Sequence, residues 1–184
     1  MIRRGFLLLP ALVAGCASPD PLYFTLAARP GQPLGGGPRL VELRRIGLAG
    51  YLDRPEIVHN VADYRLRLDS NERWGEPLGE LIARVLAEDL DSRLPGTSVF
   101  SATGAIAADP DATLEIDLQR FDVNGSGQVL LLAQVAVSRR RTARAAETVR
   151  LMVPLPGGTT TDVVAAMSTA LGQLADRIAV LLRG

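Results

Sequence analysis

The chain contains a single cysteine, Cys16, and this limits how its fold can be stabilised. Cys16 follows Arg3 and Arg4, an apolar run over residues 6–13 and two small residues, an arrangement typical of a secretory signal. The run is too short to cross a hydrocarbon layer of about 30 Å as a permanent helix, which needs roughly 20 residues. We therefore predict a removable signal peptide over residues 1–15. No internal disulfide can form, so the exported domain depends on its hydrophobic core.

The end of this segment, Val13-Ala14-Gly15-Cys16, resembles the lipobox of bacterial lipoproteins, which are lipidated on the cysteine and cut before it. A buried free cysteine is the alternative, but it leaves the signal-type segment unexplained. We expect lipid on Cys16, a lipidated tether over residues 16–22 that spans about 20 Å or less, and one domain over residues 23–184. Arg3-Arg4-Gly5-Phe6-Leu7-Leu8 also resembles a twin-arginine export motif, so the export route stays open between that pathway and the general one.

The charge of the chain argues against a nucleic-acid partner. The 20 basic residues are all arginine and balance 20 acidic residues. Without the two arginines of the signal segment, 18 basic residues face 20 acidic ones, which leaves a net charge near minus two. Binding to phosphate backbones requires a basic surface instead.

Catalytic and metal-binding chemistry has little support. There is no lysine, and lipid on the only cysteine removes the thiol, so Schiff-base and thiol catalysis are disfavoured. His59 is the only histidine and has no supporting motif, which favours a structural or surface role. We predict no enzyme activity, no metal site and no cofactor. Four carboxylates that lack calcium-loop spacing are interpreted as solvated: Asp109, Asp111, Glu115 and Asp117.

Two other clusters are interpreted as connections. Gly35-Gly36-Gly37 lacks the helix and lysine of a phosphate loop, so we expect a flexible connector. The arginine-rich residues 139–144 predict a solvated turn, with contact to anionic headgroups or an acidic partner as the alternative.

Alternation of apolar and polar residues predicts several strands. A short strand is expected over residues 23–27, a loop over 29–38 and mostly strand over 39–69. The apolar set slips by one residue across Arg44-Arg45, which predicts a bulge there. Later in this stretch apolar side chains alternate with arginines, the pattern of a half-buried strand: Tyr64, Arg65, Leu66, Arg67 and Leu68.

Two helices are predicted from apolar residues at three- and four-residue spacing. The first begins at Glu76-Pro77, because proline is favoured at the first helical position, and ends at Pro95-Gly96. The second begins near Thr161-Asp162, where a hydroxyl and a carboxylate can cap free amides. The exposed face of the first helix carries charges in four-residue steps that suit ion pairs: Glu80, Arg84 and Glu88.

Between the helices, Asn124-Gly125 predicts a hairpin that joins a strand ending at Val123 to a strand over residues 129–138. This second strand is apolar on both alternating sets, which favours a central strand covered on both faces. A third strand is expected over residues 148–153. The order of elements predicts an α+β fold, a single domain with one largely antiparallel sheet and two main helices packed on one face.

Several motifs resemble the PqiC-like family of ABC-type transport auxiliary lipoproteins. They are Gly50-Tyr51-Leu52-Asp53-Arg54-Pro55-Glu56-Ile57-Val58, Glu72-Arg73-Trp74-Gly75-Glu76-Pro77-Leu78, Arg120-Phe121-Asp122, and the helix near residues 165–171. The resemblance spans nearly the whole mature chain and implies a non-catalytic accessory subunit of an intermembrane lipid-transport system. Its implied partners are a mammalian-cell-entry-domain protein with its transporter, the membrane itself through lipid on Cys16, and identical copies in a ring.

The same motifs supply the candidate partner-binding residues, which are Tyr51, Asp53, Arg54, Trp74 and Glu76. Pro55 favours extended geometry at Arg54, Asp53 can accept an amide hydrogen bond in a turn, and Trp74 can staple the first helix. Ala17 follows Cys16 in place of the aspartate that commonly retains such lipoproteins in the inner membrane, so we expect the periplasmic face of the outer membrane. Two alternatives remain, a lipoprotein that carries lipid in a pocket between sheet and helices, and a small envelope hydrolase.

Overall fold

The computed structural model describes residues 20–62, 65–104, 108–139 and 142–184. The predicted signal peptide, Cys16, most of the tether and Tyr64 lie outside the described residues. The elements are β1 (Leu22–Phe24), β2 (Leu40–Leu43), β3 (Gly47–Leu48), β4 (Glu56–Ala62), β5 (Arg65–Trp74), α1 (Leu78–Arg93), β6 (Ser98–Ser101), β7 (Ala112–Val123), β8 (Gln128–Arg139), β9 (Thr142–Pro154) and α2 (Thr160–Arg183).

All nine strands form one mixed sheet around β7. On one side, β7 pairs with β8 and β8 with β9, both antiparallel. On its other side β7 pairs in turn with β2, β3 and β4, all parallel. Three more strands complete that side: β6 pairs parallel with β2, β5 antiparallel with β4, and β1 parallel with β5. Because the three longest ladders are antiparallel, the predicted α+β fold with a largely antiparallel sheet is confirmed.

The bulge predicted at Arg44-Arg45 is present. Leu43 pairs with Leu114 and Gly47 with Asp117, so four steps along β2–β3 match three steps along β7. The extra residue returns the apolar set to one face, since Leu43 and Ile46 are both buried.

Both helices pack on the same face of the sheet, as predicted. α1 contacts α2, and α2 crosses β7, β8 and β9. Thr159 caps α2 in a reciprocal capping box with Asp162, so this helix begins at Thr160, one residue before the predicted start. Pro77 is the N-cap of α1 and Leu78 its first helical residue, so the prediction for Pro77 is wrong by one position.

α2 is long and apolar enough to pass a test for membrane-spanning helices, but 67% of its most apolar window is buried in the domain. This burial is what a core helix requires. The interior between sheet and helices is filled by fully buried side chains, among them Leu81, Leu131 and Leu174.

Two predictions about strand burial are wrong. β8 is central, but helices cover only one of its faces, and Gln134 on the other face is exposed. On β5, Leu66 and Leu68 are 47% and 42% exposed, because the described part of the chain places nothing over them. Alternation in the sequence records which residues share a face, not whether that face is covered.

A buried arginine joins the two helices to the loop that follows β1. Arg93 is 3% exposed, and its guanidinium donates to Asp176 at 2.6 Å and to the carbonyls of Arg29 and Gly172 at 2.9 and 2.8 Å. Asp89, one turn earlier on α1, accepts the main-chain N–H of Arg29 at 2.6 Å. This network fixes how α1 lies on α2.

Candidate functional site

The two longest sequence motifs form one structural unit where β4 begins and β5 ends. The main-chain N–H of Trp74 donates to the Pro55 carbonyl at 2.7 Å, and Arg73 pairs with Glu56 across the two strands. Gly75 then donates to the Phe24 carbonyl of β1 at 2.9 Å. The loop over residues 50–55 and the entry to α1 are therefore neighbours, although about twenty residues separate them in sequence.

The loop is tied to the centre of the sheet through Tyr51. Its hydroxyl donates a short hydrogen bond to Oδ2 of Asp122, a β7 side chain that is 1% exposed. Arg120 holds the same carboxylate from the other side, with Nη2 donating to Oδ1 at 2.6 Å and Nε to Oδ2 at 3.2 Å. A buried carboxylate is tolerated only when it is paired and hydrogen-bonded in this way.

The electrostatics of this cluster keep Tyr51 protonated and Arg120 charged. Burial, followed by the hydrogen bond to Asp122, raises the pKa of Tyr51 above its usual value. The hydrogen bond that Arg120 donates to Asp122 raises the pKa of Arg120. Neither side chain is poised for proton transfer near neutral pH, so the cluster acts as a fixed tie between loop and sheet.

The other loop residues are more exposed. Asp53 is exposed and accepts none of the amide hydrogen bonds described for this turn, which is closed by the main-chain bonds of Leu52 to Ala49 and of Arg54 to Leu52. The turn expected from the Asp53 carboxylate is therefore formed by the backbone instead. Arg54 is half-buried, and its Nε makes no hydrogen bond with the described residues.

At the entry to α1, the two candidate residues have different environments. Trp74 is 4% exposed and belongs to the same core cluster as Leu78, the first residue of the helix. Glu76 is partly exposed and pairs with Arg84 at 2.7 Å. Arg84 also pairs with Glu88 at 3.3 Å, as the four-residue spacing predicts.

The five candidate residues thus do not converge on one surface. Tyr51 points into the sheet and Trp74 into the core, whereas Asp53 lines an open groove of about 820 Å³ beside α1. The wall of this groove also includes Arg84, the ion-pair partner of Glu76. Its apolar part is formed by small and aliphatic side chains: Ile46, Leu48, Gly79, Ala83 and Ala87.

A second cavity, of about 980 Å³, lies on the helix-free face of the sheet and is lined by both charged and aliphatic side chains. Arg44 crosses it to pair with Glu115 at 3.0 Å and Glu42 at 3.8 Å. Its remaining floor is formed by alternate residues of β7 and β8, including Asp117, Gln134 and Ala136.

His59 is 6% exposed and sits in the sheet between Arg67 of β5 and Val123 of β7. Burial, together with the nearby Arg67 charge, lowers the pKa of His59 below its usual value, so the imidazole is neutral. Its Nε2 is buried and makes no hydrogen bond with the residues that the structure describes. This is the environment of a packed side chain rather than of a group presented to a substrate.

The decisive comparison is with protein families. The family of ABC-type transport auxiliary lipoprotein components matches residues 24–179. The chain belongs to this family. The match includes all four motifs that carry the PqiC-like resemblance and both helices except the last turn of α2, so that resemblance is confirmed.

Curated relatives agree with this assignment. The chain is 26% identical over 95 residues to the intermembrane transport lipoprotein PqiC of Escherichia coli strain K12, and equally to that of Shigella flexneri. The alignment covers 52% of this chain and 49% of each relative, so the chain spans about half the length of the curated relatives it matches.

Solved structures share the fold. A crystal structure of an uncharacterized protein matches with a TM-score of 0.74 at 18% identity and covers 89% of this chain and 99% of the other. Protein XCC0632 from Xanthomonas campestris matches with a TM-score of 0.71 at 17% identity, over 88% of this chain and 94% of the other. The chain is thus an ABC-type transport auxiliary lipoprotein component with the fold of these proteins.

Arg120 and Asp122 belong to one of the family motifs, but they are not among the site residues predicted from the sequence. Asp122 is an acidic residue on a strand whose neighbours are apolar, and Arg120 precedes it by two positions, so both side chains share one face. A carboxylate and an arginine on the same face of a strand are a signal for a buried ion pair.

Proposed function

We propose that this chain is a non-catalytic outer-membrane lipoprotein that docks an intermembrane lipid-transport system at the periplasmic face of that membrane. The proposed partners are a mammalian-cell-entry-domain protein and its transporter. The observation that carries the proposal is the family match over residues 24–179, supported by relatives that are named intermembrane transport lipoproteins. The packed interior between sheet and helices supports docking over the lipid-carrier alternative, which needs an acyl-sized space there.

The proposed anchor is lipid on Cys16, and Ala17 after it favours sorting to the outer membrane. Separation of the two membranes on a density gradient tests the location. We expect the protein with outer-membrane markers. Recovery with inner-membrane markers would contradict this part of the proposal, whereas Ala17→Asp should move the protein to the inner membrane.

The proposed contact surface is formed by Asp53, Arg54 and Glu76, which are the exposed or half-buried members of the candidate set. Tyr51 and Trp74 then act as supports that hold this surface in place, because one is tied to Asp122 and the other is buried in the core. Asp53 and Arg84, the ion-pair partner of Glu76, line the groove beside α1 together with aliphatic side chains. This lining suits a partner segment of mixed charged and apolar character.

Purification of the lipidated protein from solubilised membranes tests this surface. We expect the mammalian-cell-entry-domain protein to co-purify with the parent protein and with Arg150→Gln, a control at an exposed arginine of β9. Arg54→Gln should lose the partner without a change in melting temperature. Trp74→Ala should lose the partner and also lower the melting temperature. Full partner recovery with Arg54→Gln, Asp53→Asn and Glu76→Gln would rule out this surface.

A ring of identical copies is part of the proposal, because a docking element built from one small domain gains avidity by repetition. Native mass spectrometry of the detergent-solubilised lipoprotein measures the copy number. A closed ring predicts one dominant oligomer. A monomer at all concentrations would contradict the proposed ring.

A further inference from the structure

The edge of the sheet formed by β1 and β5 exposes apolar side chains on one face. Leu66 and Leu68 are 47% and 42% exposed, and Tyr23 on β1 is 65% exposed. Leu66 pairs with Asn60 and Leu68 with Val58 of β4, while Arg73 pairs with both Glu56 and Tyr23. Glu56, Val58 and Asn60 are alternate residues of β4 and share one face. Tyr23, Leu66 and Leu68 therefore lie on that face of the sheet. Ile57, between Glu56 and Val58, faces the helices, which places these three residues on the helix-free face.

A short tether joins Cys16 to the same edge of the sheet. β1 pairs with β5 at this edge, through Leu22 with Glu72 and Tyr23 with Arg73. Cys16 lies six residues before Leu22, so even a fully extended tether keeps its lipid within about 20 Å of the start of β1. Pro19 and Pro21 favour this extended path, because proline fixes φ and biases the residue before it toward extended geometry.

The charges around the leucines suit a lipid surface. Arg65 and Arg67 are both exposed and alternate with Leu66 and Leu68, so they leave the opposite face of β5, at an edge where β1 pairs only with residues 72–74. Their long side chains can reach around this edge to the headgroup layer beside the leucines. Arginine can lay its apolar stem along such a surface and reach phosphate oxygens with its guanidinium. Leucine and tyrosine side chains at the boundary between headgroups and acyl chains add apolar burial.

We propose that Tyr23, Leu66 and Leu68, which we call the membrane strip, lie in the headgroup region of the bilayer that holds the lipid on Cys16. This inference rests on the lipid anchoring proposed above and adds a second attachment that fixes the orientation of the domain. Because the strip lies on the helix-free face of the sheet, α1 and the groove that Asp53 lines are on the opposite side, which then faces the periplasm.

A fluorescent probe on a single cysteine tests the strip in the lipidated full chain. Because acylated Cys16 does not react with thiol reagents, Leu66→Cys or Leu68→Cys provides one labelling site for an environment-sensitive nitrobenzoxadiazole probe. The matched control is Val180→Cys, an exposed apolar position on α2 that is 59% exposed. Each labelled protein is reconstituted in vesicles of phosphatidylethanolamine and phosphatidylglycerol, with and without a quencher carried on the acyl chains, and iodide serves as the aqueous quencher.

We expect probes at positions 66 and 68 to shift to the blue, to lose iodide quenching and to be quenched from the bilayer, while the probe at position 180 stays in water. A strip covered by a second copy of the chain would lose iodide quenching without gaining quenching from lipid, which would overturn the proposal. Flotation of the vesicles distinguishes a failure of the lipid anchor from a failure of the membrane strip. A protein that floats but keeps an aqueous probe at position 66 refutes the strip alone, whereas one that does not float refutes the lipid anchor and the strip together.

Discussion

The Tyr51 hydroxyl donates a hydrogen bond to the carboxylate of Asp122, 71 residues further along the chain. Asp122 is 1% exposed and also accepts two hydrogen bonds from Arg120. The bond joins the loop over residues 50–55 to the central strand of the sheet. Through the bond between Trp74 and Pro55, the same loop positions the entry to α1. A single buried carboxylate thus organises the surface that we propose for partner docking.

Tyr51→Phe removes one hydrogen bond to this carboxylate and leaves the packing of the ring in place. We expect the free energy of unfolding to fall by about 1.5–3 kcal/mol, the usual range for a hydrogen bond to a charged group. Urea denaturation of the unlipidated protein starting at Ala17, which contains the whole core described, measures the change. Tyr23→Phe is the control, because Tyr23 is 65% exposed and should leave stability unchanged. Equal stability of the two variants would contradict the assigned bond.

The same tyrosine predicts a dependence on alkaline pH. The fold raises the pKa of Tyr51 above its usual value near 10, so above that pH the unfolded chain loses a proton that the folded chain keeps. The free energy of unfolding should therefore fall as the pH rises from about 9 to about 11, and fall less steeply in Tyr51→Phe. Urea denaturation across this range tests the sign. Parallel declines in the two proteins would show that Tyr51 does not contribute.

Arg93 should be the most costly arginine to replace on α1. Arg93→Met removes the positive charge beside the fully buried Asp89 and the donor to the carbonyls of Arg29 and Gly172. We expect a loss of about 3–5 kcal/mol in unfolding free energy, as for other broken buried pairs. Arg84→Met on the same helix removes exposed ion pairs and should cost less than about 1 kcal/mol. A similar cost for both arginines, measured by urea denaturation, would argue against the buried network.

Two helical glycines are expected to respond in opposite directions to alanine. A Cβ on Gly79 meets its nearest neighbour, Leu48, at an ordinary 3.6 Å, so Gly79→Ala should stabilise α1 by up to about 1 kcal/mol through helix propensity. A Cβ on Gly172 would lie 2.8 Å from the Cβ of Arg29, so Gly172→Ala should destabilise the protein despite the better propensity. Thermal unfolding measures both shifts. A higher melting temperature for Gly172→Ala would show that the loop at Arg29 shifts to accommodate the methyl group.

The elements that were predicted well from the sequence are those determined by residues close together in the chain. The spacing of Val164, Met167 and Leu171 predicts α2, and all three are buried; Asn124-Gly125 predicts the hairpin between β7 and β8. The failures depend on distant parts of the chain. Leu66 and Leu68 alternate as predicted, but none of the residues that the structure describes covers them. The partner of Tyr51 is on a strand that only the completed sheet brings near. Family motifs located the candidate loop, whereas the burial of Trp74 and the exposure of Asp53 required the structure.

The central claim, docking of a transport system at the membrane through a lipid anchor, is tested most directly by Cys16→Ser. The variant is expressed at the native level in a strain that lacks the protein, with an export signal that still delivers it to the periplasm. Lipidation confines the domain to within about 20 Å of the bilayer and so raises its effective concentration for partners there. We expect the folded, unlipidated domain to fail to restore resistance to lipophilic toxic compounds, while the parent protein restores it. Full resistance with Cys16→Ser would contradict the account and favour a soluble carrier.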